Sequence, residues 1–327
     1  MQLTRVYVSA LAAVLATMFS AALFAQGAAN FPSKPITIVL PYTPGANADQ
    51  EARVYQEGLN AQLKQPVLID YKPGAGGFIA YGYVARAVPD GHTLAFINST
   101  VTITPALRED IPYDLLRDFA PVVMTTRNIF VLLAARSLPV NTYEEYIAYA
   151  KAKPGEVTWS TVGAGGGFHM AGEWLASATG IKLTFVHYKG GSAAEVDLLA
   201  GRIHSTPLAL ALSMPLIKAG KVRVLAILTE ERTPMLPGVR TVAEMGIPGY
   251  GYPSWLGLAA PAGTPAAIVD KLNAEVVKAI NSPRAMKAWE ERGSVVVGST
   301  PDAFRKSLVA ELAFWKKLVR ENNIQAE

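Results

Sequence analysis

The sequence contains no cysteine, which excludes disulfides, thiol chemistry and a lipid-anchored N-terminal cysteine. It has no run of Lys or Arg. Its 30 basic and 26 acidic residues leave a net charge of +4. That is too mild and too dispersed for a nucleic-acid surface, but it suits an anionic small ligand. Histidine is scarce: His92, His169, His187 and His204 are the only four. None pairs at i,i+4 and no H-E-x-x-H occurs, so there is no zinc signature and no metal or other cofactor is expected. The dinucleotide fingerprint is missing too. Counting from Gly74 and Gly76 the sixth position is Ile79, and from Gly163 and Gly165 it is Phe168, where the fingerprint needs glycine. There is no Walker motif and no G-x-S-x-G elbow. After the first thirty residues no apolar run is long enough to span a bilayer.

What is present begins with an export pattern. Arg5 precedes an almost wholly apolar run at residues 6–24, and small residues follow at Ala25, Ala28 and Ala29. This layout predicts a secretory signal peptide over residues 1–29, cleaved after Ala25 or Ala29, and a periplasmic mature chain. The roughly 300 residues left suit two domains better than one core. Apolar runs rich in β-formers alternate with helical patterns. Strands are predicted at 36–40, 67–70, 93–97, 120–126, 130–135, 158–160, 183–186, 222–228 and 254–259. Helices are predicted at 48–63, 78–87, 141–153, 169–178, 193–199, 214–219, 265–280, 282–292 and 301–320. Asn141 and Glu144 suggest a capping box for the third helix. The alternation argues for an α/β fold with mostly parallel sheets flanked by helices. The Gly/Pro-rich stretch 246–253 reads as a connection between domains, and a second crossing is expected near 126–128. Two crossings mean an inserted domain: residues 128–251 form the second, and residues 30–127 with 252–327 form the first.

Three strand-to-helix turns share one chemistry. They are residues 43–47 (TPGAN), 73–77 (PGAGG) and 163–167 (GAGGG). Glycine permits positive φ and lets an external group approach the backbone. The N–H groups and dipole of the helix that follows attract an anion. In open α/β sheets this edge is also where ligands bind. Phe78 and Phe168 directly follow the second and third turns; each either walls the cleft as a flat apolar surface or packs beneath its own helix. A rival reading is an exported serine hydrolase using Ser160 or Ser192 with His169 or His187, although no spacing marks a base.

In order along the chain, the sequence carries Pro44-Gly45 with Asp49, Ala52 and Arg53; Lys72-Pro73-Gly74-Ala75-Gly76-Gly77; Pro89-Asp90-Gly91-His92; Asp118-Phe119-Ala120-Pro121-Val122; GAGGGFHMAGE at 163–173; Tyr188-Lys189-Gly190-Gly191; and Ala260-Pro261-Ala262-Gly263-Thr264-Pro265. This series resembles the periplasmic solute-binding receptors of tripartite tricarboxylate transporters, the Bug-type receptors, over nearly the whole mature chain. The resemblance implies a two-lobed Venus-flytrap fold with no catalytic role. It implies a small organic carboxylate held in the interlobe cleft and membrane permease subunits as partners. It also implies ligand contacts at Thr43, Gly45, Ala46, Gly76, Gly77, Thr161, Gly165, Gly166 and His169. The chain departs from the family pattern in three places. Ala46 stands where a second Gly is common, Gly166-Gly167 where a hydroxyl is usual, and Leu208 where many members have an acidic residue. Loss of that acid argues against amino-acid ligands, because a buried ammonium needs a partner. With Phe78 and Phe168 it points to an aromatic carboxylate of the phthalate or terephthalate type. An aliphatic di- or tricarboxylate is the alternative, and a sensing role beside transport stays open.

Overall fold

A computed structural model describes residues 30–324 apart from 46, 189, 190, 253 and 323. The expected signal peptide lies outside the described residues. The chain forms two α/β lobes, each built on one sheet. In lobe 1 the order is β11-β4-β10-β3-β1-β2. Its strands are β1 (Ile36–Leu40), β2 (Val67–Tyr71), β3 (Thr93–Asn98), β4 (Phe119–Asn128), β10 (Trp255–Pro261) and β11 (Ser294–Val296). In lobe 2 the order is β7-β6-β8-β5-β9. These strands are β5 (Phe130–Ala135), β6 (Thr158–Thr161), β7 (Thr184–His187), β8 (Ser205–Ala209) and β9 (Val222–Ile227).

Each sheet is parallel at one side, where β2, β1 and β3, or β7, β6 and β8, follow one another through helices. It turns antiparallel where the crossing strands join: β10 against β3 and β4, and β5 against β8 and β9. The mostly parallel character expected from alternation thus holds for only part of each sheet.

Both faces of the lobe 1 sheet are covered, so its strands read as unbroken apolar runs rather than alternations. Ile36, Ile38 and Leu40 face α1 (Asn47–Leu63), α9 (Ala266–Ile280) and α10 (Pro283–Arg292), while Val39, Ala95 and Ile97 face α2 (Phe78–Ala85) and α11 (Pro301–Asn322). In lobe 2, Leu132 and Ala134 pack under α5 (Tyr143–Ala152) and α6 (Gly167–Thr179). Val131 and Leu133 pack under α7 (Gly191–Leu199) on the other face. At the head of α5 the cap is Thr142 rather than Asn141. Thr142 Oγ1 accepts the Glu145 N–H, and Glu145 returns the bond to the Asn141 N–H, so the capping box sits one residue later than predicted.

The chain crosses between lobes twice, side by side. The Asn128 N–H donates to Ser254 O at 3.1 Å, and Ser254 Oγ donates back to Asn128 O. The Tyr252 N–H donates to Leu228 O at 2.6 Å. α11 then reaches across: Trp315 and Leu318 cluster with Met170 of α6, and Trp174 stacks on Phe314 with ring centroids 4.4 Å apart. Among the described residues no helix is long and apolar enough to cross a membrane.

Candidate functional site

The parallel topology sends the C-terminal ends of β1, β2 and β3 to one edge of lobe 1, and those of β6, β7 and β8 to one edge of lobe 2. All three glycine turns therefore sit where β1, β2 and β6 hand over to helices.

In the first turn Gly45 takes φ +82° and donates its N–H to Asp49 Oδ2 at 2.8 Å. Asp49 is buried on α1. Its Oδ1 accepts from Arg53 Nε at 2.9 Å and Tyr71 Oη at 2.7 Å. Burial pushes the Asp49 pKa up, but these three donors together outweigh it and hold the carboxyl below its usual range. The turn is thus locked by a charge, and the Gly45 N–H is already engaged. Thr43 is exposed, and Ala46 lies outside the described residues.

In the second turn Gly76 (φ +64°) is exposed, and a Cβ there would meet nothing within 4 Å. Gly77 (φ +99°) is buried, and a Cβ there would stand 2.6 Å from the Tyr81 ring. Gly76 therefore offers bare backbone to the exterior, whereas Gly77 is a packing requirement. Among the described residues Phe78 makes no ring contact with Phe130, Phe168 or Tyr252. Its ring meets Tyr113 edge-on at 6.4 Å, under the Arg108 guanidinium, so it packs within lobe 1.

In the third turn the side chains brace the backbone. The Gly165 N–H donates to His169 Nδ1 at 2.9 Å, and His169 Nε2 faces Glu173 Oε1 at 3.4 Å. Nδ1 is thereby fixed as the acceptor. Thr161 is buried and shares its hydroxyl with His187 Nδ1 and Gly163 O. The Gly166 N–H donates to Gly163 O at 3.3 Å. The next three N–H groups, of Gly167, Phe168 and His169, open α6 and have no acceptor among the described residues. Phe168 meets Phe130 edge-on (5.3 Å) and Tyr252 at a tilt (5.4 Å), forming an aromatic cluster beside the crossing strands.

Several residues here carry no motif. Asn98, at the end of β3, accepts the Thr100 N–H at 3.0 Å with Oδ1 and donates to Tyr42 Oη with Nδ2. The Tyr252 hydroxyl lies against the start of α6: a Cβ on Gly167 would stand 2.7 Å from it. Ser160, one of the hydrolase candidates, is buried and bonds Thr206 rather than a histidine; the side chain of Ser192 lies outside the described residues. Leu208 packs in the lobe 2 core with Val131 and Ile203. No group of three or more His, Cys, Asp or Glu that could hold a metal occurs among the described residues.

Residues 51–324 match the family model described as the tripartite tricarboxylate transporter family receptor. The chain belongs to that family. Among the receptor's relatives is protein BugT of Bordetella pertussis, 33% identical over 294 residues that cover 89% of this chain and 90% of BugT. An R. palustris protein solved with adipate superposes with a TM-score of 0.77 at 34% identity, covering 91% of this chain and 100% of that one. MatC from Rhodopseudomonas palustris, solved with bound malate, gives 0.74 at 30% identity, covering 88% and 100%. The receptor is thus similar in sequence and in fold to proteins solved with small carboxylates.

The family resemblance directs attention to the glycines but not to Tyr42, Asn98 or Tyr252. One signal was available for the first of these: Tyr42 stands immediately before the first turn.

Proposed function

We propose that the protein is an exported receptor that captures a small organic carboxylate between its lobes and delivers it to a membrane permease of the tripartite tricarboxylate type. Lobe 1 is residues 30–127 and 252–327, lobe 2 is residues 128–251, and residues 1–29 are the cleaved export signal. The observation that carries this reading is the set of glycine turns at the C-terminal strand ends of both lobes, with the first three N–H groups of α6 left without acceptors among the described residues.

A carboxylate at that edge accepts charge-assisted hydrogen bonds, each contributing about 1.5–3 kcal/mol. Three or four of these, less ordering costs, reach the roughly 8 kcal/mol of micromolar binding. The ligand favours closure because only the closed state offers donors from both lobes. The cluster of Phe130, Phe168 and Tyr252 favours a flat ligand, so we assign an aromatic carboxylate or dicarboxylate. An aliphatic diacid is the second reading, favoured by the adipate and malate in the two similar structures.

A thermal-shift screen of the mature protein against aliphatic and aromatic mono-, di- and tricarboxylates tests the assignment. A ligand at one hundred times its Kd adds about 2.7 kcal/mol to stability. The largest shift is expected from an aromatic diacid; a larger one from adipate-like acids selects the second reading, and no shift with any carboxylate refutes both. Gly76→Leu should fold yet bind at least about tenfold more weakly, since its side chain projects where nothing now stands. Deletion of the gene should abolish uptake of the ligand if the role is transport rather than sensing.

A further inference from the structure

We propose that Tyr42 and Tyr252 form a hydroxyl clamp on the floor of the cleft. The clamp donates to a carboxylate of the ligand, and Asn98 acts as the positioning residue that aims the Tyr42 proton. The proposal rests on the carboxylate-receptor reading and names the side chains that would make it selective for the anion.

The direction of each hydrogen bond follows from the Asn98 amide. Its oxygen accepts from both the backbone N–H and the hydroxyl of Thr100, so its NH2 group must face Tyr42. Tyr42 Oη is therefore an acceptor toward Asn98. Its own proton has no acceptor among the described residues. Tyr252 Oη likewise has no hydrogen-bond partner there, although its ring is clamped by Phe130 at 4.7 Å and Phe168 at 5.4 Å, and its N–H is tied to Leu228. Two oriented phenols thus hold unspent protons.

Topology brings them to one place. Leu256 of β10 pairs with Asn98 of β3, so the chain just before β10, which includes Tyr252, runs past the end of β3 where Asn98 holds Tyr42. Burial is the main influence that raises the Tyr252 pKa, and the nearby Tyr42 hydroxyl adds to it. Burial likewise raises the Tyr42 pKa, against the opposing pull of Asn98. Both hydroxyls accordingly stay protonated and serve as donors. The Tyr252 hydroxyl also lies beside Gly167, at the start of α6, where the three N–H groups have no acceptor among the described residues. A carboxylate offers acceptors on both oxygens and satisfies all of these donors. A carboxamide presents an NH2 group to one of them, leaving that donor unpaired.

The test measures Kd by calorimetry for the best carboxylate of the screen and for its matched primary amide, in the wild type, Tyr42→Phe, Tyr252→Phe and the double variant. Each single variant should lose about tenfold in affinity for the acid, the range of one hydrogen bond to a charged group, and much less for the amide. The double variant should lose less than the product of the two single losses, because both phenols act on one carboxylate. Asn98→Leu should reduce the acid-to-amide preference while both phenols remain, and Asn98→Gln should restore part of it. Equal losses for acid and amide, or a Tyr42→Phe variant with wild-type affinity for the acid, overturn the clamp and leave the receptor reading intact. If the wild type binds no carboxylate, both fall together.

Discussion

The two lobes hold their turn-bearing sheet edges with different chemistry. Lobe 1 uses buried carboxylates at the head of α1: Asp49 closes the first turn, and Glu51, two residues on, reaches Thr125 and Thr126 of the crossing strand β4. Among the described residues, the buried polar side chains of the lobe 2 sheet and its third turn are neutral hydroxyls and an imidazole. Ser160 bonds Thr206, Tyr146 bonds Ser205, and His169 accepts from Gly165. A buried charge fixes a loop firmly but is costly wherever its donors fall short. A hydroxyl network constrains less and costs less. The difference teaches that the stability linked to protons on buried carboxylates belongs to lobe 1, while the buried polar groups of the lobe 2 sheet are held through hydroxyl bonds.

The largest effect should come from Glu51. Burial raises its pKa to about 7, against the opposing influence of Thr126, Arg292 and Thr125, and its Oε2 has no hydrogen-bond partner among the described residues. A carboxyl whose pKa is higher folded than unfolded binds more protons in the native state. Stability therefore falls as pH rises from the ordinary value of 4.5 to about 7, and stays lower above that. Glu51→Gln removes the charge while keeping the shape. It should stabilise the protein by about 3 kcal/mol at pH 8 and hardly at all at pH 4.5. Urea midpoints at the two pH values measure this, and an equal change at both would erase the contrast between the lobes.

Much of this fold is legible in the residues, and the misses have causes. β1 and β3 declare themselves as β-branched apolar runs because both their faces are covered. β8 escapes a sequence reading because Pro207 sits in mid-strand, opposite Leu132, where proline ordinarily argues against a central strand. The helix Thr100–Leu107 escapes it because TVTITPAL is β-branched and contains Pro105; burial of Val101, Thr102 and Ile103, with the Thr102 hydroxyl shared between Ser99 O and Glu311, overrides its propensity. At the site, glycine turns are readable because positive φ leaves a composition signal. Tyr42, Asn98 and Tyr252 are not, because their meeting depends on β10 returning antiparallel beside β3 from a point more than a hundred residues away in the chain. For Phe78, sequence left cleft wall and core packing open, and only the position of Tyr113 distinguishes them.

A second contrast compares the turns themselves. Gly77 in lobe 1 combines φ +99° with a Cβ position 2.6 Å from the Tyr81 ring, whereas Gly166 in lobe 2 has ordinary negative φ and a nearest contact of 3.3 Å to Gly163 O. Gly77→Ala should cost about 2 kcal/mol, from left-handed strain plus overpacking. Gly166→Ala should cost less, under about 1 kcal/mol, because it adds no left-handed strain and only the Gly163 carbonyl must give way. Thermal melts of the two variants without ligand compare them directly. Equal costs would mean that the wedge against Tyr81 is not what holds the lobe 1 turn.

The smallest effect isolates the lobe 2 brace. His169 is buried and touches the turn through one hydrogen bond, from the Gly165 N–H to Nδ1, while its ring packs edge-on to Phe185 at 4.6 Å. His169→Leu keeps apolar contact with Phe185 but removes the acceptor, which should cost about 1 kcal/mol of stability. The affinity loss should exceed what that modest destabilisation explains, because the freed Gly165 adjoins the start of α6, where we propose that the carboxylate binds. His169→Gln restores an acceptor and should recover part of the affinity. If His169→Leu instead lowers the melting temperature and leaves affinity untouched, the imidazole is core packing alone, and the third turn holds its shape through glycine geometry rather than through a side-chain brace.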